Sequence, residues 1–178
     1  MPFENLLLSS CLLPGQTAFK ENKASVEVKP LAGETILFFN IDDQSNPGCK
    51  LRELLWGTEK GQKMCDLIVF YAKDSKRVIC FVELKDNISD LGHATEQVIN
   101  TYKTFKGRLH KSSYTAKAFI SASAGSSPHE HTEYQKDLSQ VFGENNFDIN
   151  NNRSNDALGD LLRGIAPKIG GGKRKNKK

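Results

Sequence analysis

Two apolar runs dominate the pattern of hydrophobic and polar positions, residues 65–71 and 78–84, separated by the polar Lys73-Asp74-Ser75-Lys76. Runs of this length, rich in Val, Ile, Phe and Tyr, predict strands, and the short polar connection predicts a hairpin. Closed symmetrically, the hairpin sets Ala72 against Arg77, Phe70 against Ile79, Ile68 against Phe81 and Asp66 against Glu83. Directly opposed residues share a face, their Cβ atoms about 4.5–5.5 Å apart. Lys85, two residues beyond Glu83, points the same way. Ile68, Phe70, Ile79 and Phe81 fill one face, and Leu67, Val69, Tyr71, Val78, Val82 and Leu84 the other. A hairpin apolar on both sides is expected to be covered on both.

Around it the pattern continues. Residues 5–13 are apolar but too short to cross a bilayer, and Glu4 stands where a signal peptide would carry basic residues; a short core helix or strand is expected. Residues 24–29 alternate and stop at Pro30, and 34–41 (ETILFFNI) form a strong apolar run. With Pro30-Leu31-Ala32-Gly33 as a turn between them, these predict a hairpin ahead of the core. Residues 49–56 predict a short helix striped by Leu51, Leu54 and Leu55. Ser89 is a plausible N-cap for a helix whose stripe is Leu91, Ala94, Val98, Tyr102 and Phe105 and which ends at Gly107. Residues 115–121 predict a strand beside 78–85, residues 133–142 a helix, and 154–162 a last short helix stopped by Gly164 and Pro167. Between the two helices, 145–152 is polar and Asn-rich.

The expectation is one α/β domain over residues 1–167, with a mixed central sheet of four or more strands flanked by helices and an N-terminal β-hairpin extension. At 178 residues such a chain buries roughly 70% of its unfolded surface. A tail at 168–178, opened by Gly170-Gly171-Gly172, is expected to be disordered.

Asp66 and Glu83 then raise a chemical question. Like charges opposed at the end of an apolar layer destabilise it unless they share a proton or bind a cation. Carboxylate oxygens suit hard divalent ions such as Mg²⁺, which take one or two carboxylates plus phosphate oxygens and water. An Asp, a Glu and a Lys converging on one point is what metal-assisted phosphodiester hydrolysis requires.

Asp66 heading one strand and Glu83-Leu84-Lys85 ending the next resemble the PD-(D/E)xK nuclease superfamily, the restriction endonuclease-like fold. The likeness covers about residues 50–123, with Met64-Cys65 standing before Asp66 in place of the Pro of the motif's name. It implies that Asp66 and Glu83 bind Mg²⁺ or Mn²⁺, that the Leu84 main-chain carbonyl is a further ligand, and that Lys85 assists the attacking water. Members often add an acid on a preceding helix. Glu53 stands at that position, although about 200° round the helix from Leu51, and Glu59 is a second candidate. RecB-like members carry a Gln near the metal, followed four residues on by Tyr. Here Gln97 precedes Tyr102 by five, so its role as support or as helix flank stays open. An acid-x-Lys tripeptide alone carries little, because the chain has four: Glu21-Asn22-Lys23, Glu27-Val28-Lys29, Asp74-Ser75-Lys76 and Glu83-Leu84-Lys85. Only the last ends a long apolar run with an acid opposed to it.

Charge changes the picture once. The net charge is +4, but six cationic residues and no acid fall in 168–178; +4 less those six leaves −2 for the body. Lys173, Arg174, Lys175, Lys177 and Lys178 are candidate contacts to nucleic acid, since a basic tail draws phosphates without reading sequence; a solvated terminus is the competing reading. Four cysteines (11, 49, 65, 80) show no zinc spacing and are read as buried thiols of a reducing cytoplasm. His129-Glu130-His131 is read as a solvated cluster, because residues one and two apart on a helix do not face together. The function expected is a Mg²⁺- or Mn²⁺-dependent nuclease acting on DNA rather than RNA. A homodimer or larger assembly, such as a restriction, repair or phage-defence system, would supply further binding surface. The alternative is a nuclease-fold module that binds nucleic acid or a protein without cutting.

Overall fold

A computed structural model describes residues 10–43, 45–46, 49, 51–57, 61–107, 113–122, 128–150 and 156–165, the side chains of 54, 88 and 128–131 apart. In chain order the elements are β1 (Leu12–Leu13), β2 (Ala18–Glu21), β3 (Ala24–Glu27), β4 (Thr35–Asn40), α1 (Leu51–Trp56), β5 (Leu67–Lys73), β6 (Lys76–Lys85), α2 (Leu91–Lys106), β7 (Thr115–Ala122), α3 (Pro128–Phe142), β8 (Phe147–Asn150) and α4 (Ala157–Arg163). The main sheet is mixed, six strands in the order β1-β4-β5-β6-β7-β8.

β5 and β6 pair antiparallel in the expected register, Ile68 opposite Phe81 and Phe70 opposite Ile79, with pairing continued to Lys73 opposite Lys76. The turn is therefore only Asp74-Ser75, and Asp74 takes the left-handed conformation (φ 50°) that Asp tolerates better than most side chains. β6, β7 and β8 run parallel. Parallel neighbours need a crossover, and α2 and α3 supply the two.

Each face of the sheet has its own core. On the helix side Phe39, Ile68, Ile79, Phe81 and Ile120 pack with the α2 stripe, Leu91, Ala94, Val98, Tyr102 and Phe105, all of it buried, and with Leu138 and Phe142 of α3. On the other side Phe38, Leu67, Val69, Val78, Val82 and Leu84 are covered by Ala24, Val26 and Val28 and by Leu158, Leu161 and Leu162 of α4.

The expected hairpin of 24–29 with 34–41 does not form. β3 pairs with β2 instead, in a separate two-stranded sheet with Glu21 opposite Ala24, while β4 joins the main sheet between β1 and β5. The reason lies in the side chains. β3 alternates buried and exposed and needs covering on one face only, whereas β4 is apolar on both and is satisfied only inside a layered sheet. The Asn-rich stretch hides β8, whose apolar residues are Phe147 and Ile149. Ser89 is not the cap of α2: a 3₁₀ turn, Ile88–Asp90, precedes the helix and puts Asp90 in that position without a side-chain capping bond.

The cysteine expectation holds for half the set. Cys65 and Cys80 are buried free thiols, but Cys11 and Cys49 are joined as a disulfide, because β1 lies beside β4 and the chain after β4 folds back to it. That pairing removes the cysteine argument for a reducing compartment. None of the described helices is long and apolar enough to cross a membrane. The basic tail, and with it Lys173, Arg174, Lys175, Lys177 and Lys178, lies outside the described residues, as does Glu59.

α4 is fastened by a charged clasp. Arg163 meets Glu34 with Nε to Oε1 at 2.9 Å and Nη2 to Oε2 at 2.9 Å, and Asp156 Oδ2 with Nη1 at 2.7 Å. Glu34 also accepts from Tyr71 Oη at 3.1 Å. The Arg163 hydrogen bond, working against burial, holds the Glu34 carboxyl down at about 2. Gly164 closes the helix in the left-handed conformation (φ 74°), the role glycine most often fills there.

Candidate functional site

The site follows from the β5–β6 register. Asp66 is the last residue before β5, and its N–H donates to Glu83 Oε2 at 3.2 Å. In return Leu84 N–H donates to Asp66 Oδ2 at 2.7 Å. Each carboxylate thus binds the main chain of the other's strand, which brings the two groups together at the sheet's end on the side facing α2. Glu83 has no exposed surface and Asp66 is 9% exposed. Lys85 Nζ lies 2.5 Å from Glu83 Oε1 and donates to Gln97 Oε1 at 2.9 Å. Gln97 Nε2 donates in turn to Met64 O at 2.9 Å. Gln97 therefore joins the cluster, spanning from Lys85 to the chain that leads into Asp66.

Burial is the largest influence on both acids. It pushes Asp66 up to about 7, reinforced by the charges of Glu21 and Asp42 and opposed by the Leu84 N–H and Lys85. Burial likewise pushes Glu83 up to about 8, with the Asp66 charge adding to it and Lys85 opposing. For Lys85 burial works downward, but the Glu83 hydrogen bond and the Glu83, Asp66 and Asp90 charges outweigh it and raise the amine. Apart from the Lys85 ion pair, buried Glu83 Oε1 has no hydrogen-bond partner among the described residues.

Glu53 is exposed on α1. Two acids outside the pair also raise Asp66: Glu21, ending β2, and Asp42, just past β4. Asp42 is ion-paired with Arg52, which also donates to Gln62 O at 2.7 Å. Asp42 was visible in sequence as an acid following a strand; Glu21 was not, because the strand that carries it is short and mostly exposed. His93 is an exposed side chain beside the Lys63–Glu96 ion pair, and His129 and His131 lie on α3 with their side chains outside the described set. Among the described residues no three His, Cys, Asp or Glu side chains gather as a metal-holding group; the two carboxylates of this site are a pair.

Comparisons with family models, with curated proteins and with solved structures find no match for the chain.

Proposed function

We propose that the chain is a metal-dependent phosphodiesterase acting on DNA, in the manner of the PD-(D/E)xK nucleases that its motif resembles. One observation carries this reading: two buried carboxylates locked together by reciprocal main-chain hydrogen bonds, with an amine 2.5 Å from one of them. The residues fit a divalent cation. Buried Glu83 Oε1 already takes a cationic partner, the Lys85 amine, and both acids are pushed up by burial, as a site built for positive charge would be. The Leu84 N–H faces Asp66, and in a strand the N–H and C=O of one residue face the same neighbour, so its carbonyl is offered to that edge as well. Asp66, Glu83 and the Leu84 carbonyl would hold Mg²⁺ or Mn²⁺. When bound, the ion supplies Lewis-acid polarisation of the phosphate and a more acidic water.

The chain's own residues do the rest. Lys85 is placed to orient the attacking water and to offset charge as the phosphate is attacked, and Gln97 fixes its amine. A homodimer or larger assembly in the cytoplasm fits the mildly acidic body, and the basic tail would add salt-dependent affinity. The test is cleavage of duplex, single-stranded and branched DNA with Mg²⁺ or Mn²⁺. Asp66→Ala, Glu83→Ala and Lys85→Ala are each expected to lose about 10²-fold or more. Activity that survives all three rules out the site. DNA binding with no cleavage by the wild type, abolished on removing 168–178, would favour the non-cutting module.

A further inference from the structure

The strand ladder on β5 begins at Leu67, so residues 63–65, which bring the chain to Asp66, must be held by something else. α2 holds them with three side chains spaced three and four apart, hence on one face. Asn100 Nδ2 donates to Lys63 O at 2.7 Å, Gln97 Nε2 to Met64 O at 2.9 Å, and Cys65 N–H donates to Thr101 Oγ1 at 2.9 Å. Thr101 Oγ1 itself donates to Gln97 O at 2.8 Å. Three consecutive residues are gripped, where a neighbouring strand would hold only alternate ones, and the grip comes from helix side chains. Thr101 and Cys65 are fully buried, so removing the Thr101 hydroxyl leaves a buried N–H without its acceptor, which the fold does not tolerate freely.

We infer that Thr101 is a positioning residue for Asp66: through the Cys65 N–H it sets where the chain enters β5, and through Gln97 the same helix face sets Lys85 against it. The dimension that matters to the site, from carboxylate to amine, is then fixed by α2 and not by the β5–β6 hairpin alone. A threonine that merely filled the core would be replaceable by valine, its isostere, with loss of stability and nothing more. A positioning threonine would not be replaceable in that way, whereas serine would serve.

This inference rests on the proposed hydrolase, and the test separates the two. Calorimetric titration of Mn²⁺ into the full chain is run beside steady-state DNA cleavage for wild type, Thr101→Val, Thr101→Ser and Val69→Ala, the last a truncation in the opposite core as a control for lost stability. Thr101→Val is expected to bind Mn²⁺ about tenfold more weakly, as loss of a group that orients a ligand does. Its kcat should fall while its KM for DNA is unchanged. Thr101→Ser should restore both readouts, and Val69→Ala should leave both intact. Wild-type Mn²⁺ affinity and kcat in Thr101→Val, or deficits equally present in Val69→Ala, overturn the inference and leave the hydrolase standing. A wild type that neither binds Mn²⁺ nor cleaves overturns both. Should Thr101→Val fail to fold, Asn100→Ala removes the half-exposed end of the same bracket; unchanged Mn²⁺ affinity and kcat there count against the inference, and a loss in both supports it.

Discussion

Glu83 is a carboxylate with no contact with solvent, set against a second carboxylate and one amine. Its charge is tolerated only with help, and that has a consequence for stability. In the unfolded chain Glu83 titrates near 4.5 and in the fold near 8; Asp66 moves from 3.8 to about 7. Between those limits the folded protein holds protons that the unfolded chain has released, so the stability contributed by this pair is full below about pH 4 and is lost as pH rises toward 8. Glu83→Gln, neutral at every pH, is expected to remove about half of that decline and to leave the Asp66 share in place. In thermal melts with chelator present from pH 5 to 9, the variant should match or exceed the wild type at pH 8–9, and a wild-type midpoint that rises across that range would contradict the assignment. The triad was legible in sequence because a tight reversal fixes register locally and register fixes faces. The influence of Glu21 and the Thr101 hydroxyl was not, since each is brought to the site only by the packing of distant segments.

At the level of elements, legibility tracked the strength of periodicity. β5, β6, β7 and α2 carry long unambiguous patterns and were placed within a few residues. β8 has two apolar residues among asparagines, too few to distinguish from a loop, and the partner of β3 was misread because proximity along the chain favoured β4. α4 was expected as a short helix, but its fastening was hidden. Gly159 lies in it where a Cβ would press on the Asp156 carboxylate and come within 2.7 Å of Arg163 Nη1, so the clasp needs the missing side chain. Alanine would add helix propensity, about 0.5–1 kcal/mol, yet crowding a packed site costs about 1–3 kcal/mol. Gly159→Ala is therefore expected to lower stability by about 1 kcal/mol or more in urea unfolding, against the usual direction for a helical glycine. A stabilised variant would show that the clasp yields.

For the molecule as a whole, the sheet is the frame and its two cores are closed by unlike covers, α2 and α3 on one side and the β2–β3 hairpin with α4 on the other. The fold class was readable from the mix of periods along the chain. The disulfide was not, because its cysteines are 38 residues apart and only the placement of β1 beside β4 unites them. Denatured without reductant, the protein should show two reactive thiols, and four would refute the bond. Reduction should lower unfolding stability by about 2–4 kcal/mol.

The clasp between Glu34 and Arg163 has one more implication, for biosynthesis. The acid is translated 129 residues before its base, an interval on the order of ten seconds at ordinary elongation rates. Throughout that time the nascent polypeptide lacks the guanidinium that makes burial of Glu34 tolerable. Any product of stalled translation or proteolytic nicking that stops short of residue 163 must either keep that acid wet, leaving the layer beneath α4 open, or bury a bare charge.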